Sequence, residues 1–222
     1  RSSGSSTTRS SIKNNTIYFQ TNGLLNSAII QASYSDIINN FMSGYNQDYS
    51  PTYAVKSGDY NIISNNTILG AHSGIELGVA NIIDSNSIDV SDRVFYANNA
   101  SGTHTITNNT INKTGGDAVL YVNNTDSIIM NNNTILSTGG EGLYFSDTYV
   151  DVRYNLLTTP GRGIHCENQV AGEIGNNTII SASSGDYGVH ITNLSSPVVR
   201  NNIIQGFQNG IYADNTLVNY AL

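Results

Sequence analysis

The phrase Ile63-Ser64-Asn65-Asn66-Thr67-Ile68 constrains this chain more than any other feature. It returns at Ile106-Thr107-Asn108-Asn109-Thr110-Ile111 and Ile174-Gly175-Asn176-Asn177-Thr178-Ile179, and it opens the repeats at Ile12-Lys13-Asn14-Asn15-Thr16-Ile17. Looser copies centre on Asn40, Asn86, Asn133, Asn155 and Asn202. The recurring Asn of each copy therefore falls at residues 15, 40, 66, 86, 109, 133, 155, 177 and 202, at intervals of 20 to 26. A period in the twenties marks a stack of equivalent units. One unit alone cannot bury its apolar face, so its neighbours in the stack supply the core.

Between copies of the phrase lies a short alternating segment, often led by Gly: Gly74-Ile75-Glu76-Leu77, Gly142-Leu143-Tyr144-Phe145, Gly163-Ile164-His165-Cys166, Gly188-Val189-His190-Ile191 and Gly210-Ile211-Tyr212-Ala213. Ala118-Val119-Leu120-Tyr121 aligns with these. Alternation with period two predicts strands, and no stretch has helical spacing with caps. Three short strands and three turns per repeat predict an all-β right-handed parallel β-helix of about nine coils, stacked at about 4.8 Å. Residues 1–11 read as a linker or frayed first turn, and 12–222 as a single domain. The recurring Asn is expected to serve two needs. It tolerates the left-handed backbone of a tight corner, and its amide can bond to the amide one coil away. Asn98, Asn123, Asp147, Asn168, Asn193 and Asn215 predict a second corner of the same kind.

The Asn-Asn-Thr-Ile and Gly-Ile phrases resemble the parallel β-helix repeats of the pectate-lyase-like superfamily. They are most similar to its Asn-rich subgroup of carbohydrate-binding proteins and sugar hydrolases, common on archaeal and bacterial surfaces. The resemblance runs from about Ile12 to Asn202. It implies the solenoid, a polysaccharide partner and an extracellular or cell-surface location. No catalytic signature of a member family stands in the chain, so the resemblance transfers no active-site residue.

Charged residues are only 11% of the chain, and the net charge is -7. No basic stripe exists to neutralise phosphates, which speaks against a nucleic-acid partner. No apolar run reaches the length of a membrane span. The single cysteine, Cys166, allows no internal disulfide, and its alignment with Leu77, Tyr121, Phe145 and Ile191 places it inward. The absence of an initiator Met and a signal peptide leads us to expect a processed or excised piece. Sequons occur at Asn14, Asn65, Asn99, Asn108, Asn112, Asn123, Asn132, Asn176 and Asn193, several of them created by the Asn-Asn-Thr phrase itself.

Aligning the short segments on Ile75, Val94, Val119, Leu143, Ile164, Val189 and Ile211 gives three outward columns. The first is Asp92, Asp117, Glu141, Arg162, Tyr187 and Asn209; the second is Glu76, Phe95, Leu120, Tyr144, His165, His190 and Tyr212; the third is Ala97, Val122, Ser146, Glu167, Thr192 and Asp214. Asp117 and Glu141 become coil neighbours, with their backbones about 5 Å apart. Carboxylates that close raise one another's proton affinity, as an acid–base or acid–nucleophile pair of a glycosidase requires. His165 is the candidate auxiliary proton carrier. Arg162, Tyr144, Tyr187, His190, Tyr212 and Glu167 are the candidate sugar-positioning residues, with the tyrosine rings stacking on sugar rings.

Two other classes compete with a polysaccharide binder or cleaver. One is a structural or adhesive module that self-associates through its coil ends, since neither Ser10-Ser11-Ile12 nor the segment from Leu217 to Leu222 reads as a cap. The other is a metal-handling accessory protein using His165, His190, Glu167 and Asp214. No cofactor is expected, and calcium between Asp147, Asp151 and corner carbonyls is the alternative.

Overall fold

A computed structural model describes residues 8–21, 28–46 and 53–214. Among them there is no α-helix, and every strand pair is parallel. Each coil contributes three strands, as in Ile62–Ser64, Thr67–Ala71 and Ser73–Val79. The middle strands of the coils form one nine-stranded sheet. The other two faces join into one sheet because Leu120–Asn131 and Leu143–Arg153 round the corner between them without a break. The first strand, Ser10–Lys13, takes in Ser10 and Ser11. The expected terminal segment from Leu217, and Asn215 of the second corner, lie outside the described residues.

The core is like stacked on like. Ile37, Ile63, Ile83, Ile106, Met130, Val152 and Ile174 form one fully buried column, in register coil by coil. Met42, Ile68, Ile88, Ile111, Ile135, Leu157 and Ile179 form a second. A third runs Leu77, Ala97, Val122, Phe145, Cys166 and Ile191. Here the ring of Phe145 lies between the smaller Val122 and Cys166, which keeps the packed volume near constant. Cys166 is inward, but Tyr121 is not its partner, because Tyr121 pairs with Tyr144 on the outer surface. Burial pushes the Cys166 thiol up to about 12, so it acts as a small core residue and not a nucleophile.

The asparagine ladder is continuous over all nine rungs. Each Nδ2 donates to the Oδ1 of the next rung at 2.9–3.0 Å, from Asn15 to Asn202. That Oδ1 also accepts the preceding rung's backbone N–H at 2.9–3.0 Å. Nδ2 further meets backbone carbonyls, as Asn66 does at Ile37 and Ser64. The expectation that this same Asn adopts the left-handed backbone is corrected. The positive-φ residue is the one before it: Asn14, Asn39, Asn65, Ser85, Asn108, Asn132, Tyr154, Asn176 and Asn201. The two jobs are split between neighbours because they conflict. The corner residue points to solvent and needs only backbone tolerance, while the ladder residue must aim its amide along the core. The sequon acceptors Asn14, Asn65, Asn108 and Asn132 are these exposed corner residues.

The second corner is corrected by one residue at its start. Its positive-φ positions are Asn99, Asn124, Asp147, Asn168 and Asn193, so Asn98 and Asn123 belong to the strand before it. A shorter inward ladder, not visible as a sequence phrase, runs Ser35, Asn61, Asn81 and His104. The backbone N–H of Ser35 reaches Asn61 at 2.8 Å, that of Asn61 reaches Asn81 at 2.9 Å, and that of Asn81 reaches His104 Nδ1 at 3.3 Å. Nδ1 is therefore the acceptor, and the Nε2 proton is left buried without a partner. Burial lowers the His104 pKa to about 4, against the weaker pull of Asp126. Between the ordinary value of 6.5 and about 4, the unfolded chain holds a proton that the folded chain does not. Stability is thus complete above the upper value and falls through this window, by on the order of 3 kcal/mol. We expect His104→Asn, which continues the ladder, to remove this loss in urea unfolding at pH 7 and pH 4.5. An unchanged pH difference would show that His104 is not its source.

Candidate functional site

The outer surface formed by the third strand of each coil carries a row of rings in register. Tyr96, Tyr121, Tyr144, His165, His190 and Tyr212 are successive coil partners, and Glu76, Lys56 and Gln31 continue the column toward the N-terminus. The expected membership of this column is corrected at two coils. Phe95 and Leu120 are fully buried, and Tyr96 and Tyr121 take the outward places. Ala97 and Val122 are likewise inward, so Asn98 and Asn123 open the third column. The slip has a steric origin. In the inner coils these strands begin with two consecutive inward residues as the chain rounds the corner. The first is Gly142, Gly163 or Gly188 in three coils but Val94 or Val119 in two others. Matching Val119 to Leu143 instead of to Gly142 displaced that coil by one, which exchanges the two faces of a strand.

The rings stack on one another. Tyr96 and Tyr121 lie 5.6 Å apart at 19°, Tyr121 and Tyr144 4.9 Å at 10°, and His165 and His190 4.7 Å at 17°. Tyr144 meets His165 edge-on at 78°. Tyr187 lies beside the row, 4.4 Å from His190 and 5.0 Å from Tyr212. At the other end Tyr53 joins Tyr96 at 6.3 Å. The expectation that these rings present flat faces to sugars is therefore corrected. Most faces are taken by ring neighbours, and the row offers mainly its edges and polar groups. Arg93 caps the faces of Tyr96 and Tyr121 at 5.2 and 5.3 Å, and Lys56 sits 5.5 Å from the Tyr53 ring.

Beside the row, the turns that enter each strand carry the charges. Asp117 and Glu141 both line a shallow groove of about 230 Å³ with Gly116, Ala118, Tyr121 and Tyr144. Each carboxylate has its own guanidinium: Arg93 reaches Asp117 at 2.6 Å, and Arg162 reaches Glu141 at 3.0 Å. His165 Nδ1 stands 3.7 Å from Glu141 and 3.0 Å from Arg162 Nη1. Nδ1 can accept from Arg162 only when it carries no proton and can donate to Glu141 only when it carries one, so the two contacts are alternatives set by the proton on this nitrogen. Burial works to raise the proton affinity of Glu141. The adjacent His165 and the Arg162 charge outweigh it and hold the carboxyl below its usual range. Glu141 is thus a fixed anion, and a mutually raised carboxylate pair is not what its surroundings make.

His165 is nearly buried, at 6% exposure, so His190 and Tyr212 are the more accessible members of the row. Burial, and then the nearby His165 and Arg162, lower the pKa of His190, whose Nδ1 has no partner. Tyr144 Oη donates to Glu167 at 2.8 Å, and Asn193 holds the other Glu167 oxygen at 3.1 Å. Burial and this bond raise the Tyr144 phenol above its ordinary value. Glu167 therefore orients a ring and has both oxygens occupied. Among the described residues, no three His, Cys, Asp or Glu side chains gather into a metal-holding group. Asp151 of the calcium alternative is paired with Arg153.

Arg93, Tyr53, Tyr96 and Tyr121 were missed. The signal for the two middle tyrosines was present: Phe95-Tyr96-Ala97 and Leu120-Tyr121-Val122 each set a Tyr between two apolar residues. Arg93 and Tyr53 join through side-chain reach across coils, which no local spacing reveals.

Residues 117–220 match the family model described as a right handed beta helix region. The same coil stack continues from that span toward the N-terminus, through Ile63 and Ile37. No curated protein and no solved structure matches the chain. No helix among the described residues is long and apolar enough to cross a membrane.

Proposed function

We propose that this right-handed parallel β-helix is an extracellular module that binds a polysaccharide lengthwise along the ring row. The observation that carries the reading is the row itself: rings repeating at coil spacing from Tyr96 to Tyr212, with charged turns along one flank. A linear polymer can meet such a row at several successive points, so many weak contacts add. Tyr hydroxyls, His190 and the Asn98–Asn123 pair supply donors and acceptors for sugar hydroxyls. Arg162, Tyr144, Tyr187, His190 and Tyr212 are the positioning set, with Glu167 holding Tyr144.

We favour binding over cleavage because a cleaving pair needs one protonated acid, whereas Glu141 is held ionised and Asp117 is ion-paired with Arg93. Should the protein cleave, Asp117 and Glu141 are the groups to carry it, with His165 beside Glu141.

The test is affinity electrophoresis against a panel of neutral, acidic and amino polysaccharides, with new reducing ends and unsaturated products assayed in parallel. We expect retention by at least one polymer without product. For the double variant Asp117→Asn/Glu141→Gln, we expect retention to weaken by roughly tenfold, as when one partner of a hydrogen-bonded charge pair is lost. Failure to retain any polymer, with ordered self-assembly instead, would favour the structural module.

A further inference from the structure

Lys113 is fully buried, with no exposed surface. It occupies an inward position that is Val90 one coil before and Ser137 one coil after. An apolar or hydroxyl side chain therefore fits there, and an ammonium is an expensive choice for filling space. Its contacts explain the choice. Nζ donates to the Gly115 carbonyl at 2.5 Å and to the Gly139 carbonyl at 2.7 Å. Gly115 stands two residues before Asp117, and Gly139 two residues before Glu141. Neighbouring coils tie their turns with uncharged groups: Ser137 Oγ reaches Gly139 at 2.6 Å, and Thr159 Oγ1 reaches Gly140 at 3.0 Å.

We propose that Lys113 is a positioning residue, whose one buried ammonium locks the Asp117 turn to the Glu141 turn and sets the spacing of the two carboxylates on the groove. The functional weight of that spacing rests on the polysaccharide reading; the lock itself does not.

The charged groups facing Lys113 are Asp92 and Asp117, with Glu141 at the end of the second turn. Burial lowers its proton affinity more than Asp92 and Asp117 raise it, to about 8. Above that pH the neutral amine keeps two hydrogens, one for each carbonyl, but loses the strengthening that charge gives a hydrogen bond. The lock weakens. Global stability moves the other way. Between about 8 and the ordinary 10.5 the unfolded chain holds the extra proton, so stability rises with pH. A residue that only filled space would not loosen two turns while the whole fold became firmer.

The experiment needs no ligand, so it stands or falls apart from the sugar reading. Amide hydrogen exchange of the full chain, corrected for intrinsic base catalysis, is followed from pH 7 to pH 9.5, with thermal melts alongside. In the wild type we expect exchange in Gly115–Asp117 and Gly139–Glu141 to quicken about threefold through pH 8, while the melting midpoint holds or rises. Lys113→Met should exchange about tenfold faster in both turns at pH 7, with no step. Lys113→Arg, charged throughout, should keep both turns slow with no step. Should Lys113→Met fail to fold, the wild-type step and its absence in Lys113→Arg decide the matter. Protection in Lys113→Met equal to wild type, loosening of the first turn alone, or no wild-type step would overturn the proposal.

Discussion

Replacing Asn66 by Ala should cost about 4 kcal/mol, whereas replacing its neighbour Asn65 by Ala should cost about 1 kcal/mol. The two residues are identical in type and adjacent, so the difference isolates position. Asn66 is 1% exposed, and its Oδ1 accepts both the backbone N–H and the Nδ2 of Asn40, at 2.9 and 3.0 Å. Truncation leaves the Asn40 backbone N–H and the Ile37 carbonyl without the Asn66 amide, at about 1–3 kcal/mol each, and also removes the bond from Asn66 Nδ2 to Asn86, while Asn40 Nδ2 keeps the Ile12 and Ile38 carbonyls. Asn65 is exposed, with φ of 55°, and its side chain has only to tolerate that backbone. Asn65→Gly should therefore be near neutral. Guanidinium unfolding followed by circular dichroism gives the totals. Hydrogen exchange should place the Asn66→Ala loss in the coils on either side of it, since each coil touches only its neighbours. Equal losses for the two alanine variants would mean that the ladder contributes nothing beyond its corners.

Arg162→Ala should weaken binding to whichever polysaccharide the panel retains by roughly 30-fold, about 2 kcal/mol. The guanidinium holds Glu141 at 3.0 Å and donates toward His165 at 3.0 Å, so its loss releases two groups of the groove together. The effect should also change with pH. With Arg162 in place, Glu141 stays ionised below the ordinary carboxylate range, so its contribution is present above that range and fades only as pH falls well below it. Without Arg162, burial is opposed by less charge, and the loss on acidification should begin at a higher pH. Titration calorimetry at pH 7 and pH 5 measures both changes. If Arg162→Ala and the Glu141→Gln variant weaken binding by amounts that simply add, the two side chains do not act as a unit.

Much of the architecture was legible in the sequence. The Asn-Asn-Thr-Ile phrase recurs because every coil must solve the same corner, and the side chain that solves it, a short amide, has few substitutes. The Ile, Val and Leu columns follow from period two, since successive side chains of a strand point to opposite faces. The ladder from Asn15 to Asn202 was therefore predictable as a line of contacts, and Asp117, Glu141, Arg162 and His165 were predictable as neighbours on one face. Which of two adjacent asparagines bends the backbone was not predictable, because Asn suits both roles. Ser85 and Tyr154 occupy the bent position where the phrase is loosest, and they mark it only in retrospect.

Sequence alone determined that like residues would stack on like, because repetition at a fixed period admits little else. Tertiary structure decided the register of each outward strand, the pairing of each carboxylate and the use of the ring faces. Those depend on quantities that a letter does not carry. A Val or a Gly can begin the same strand, and only packing around the corner says which residue comes next on the outside. Arg93 and Asp117 are 24 residues apart in the chain yet 2.6 Å apart in space, and that distance is what makes Asp117 a partnered anion. Tyr121 and Tyr144 are each a surface ring in sequence. At 4.9 Å they become one stack whose facing surfaces are closed to any ligand.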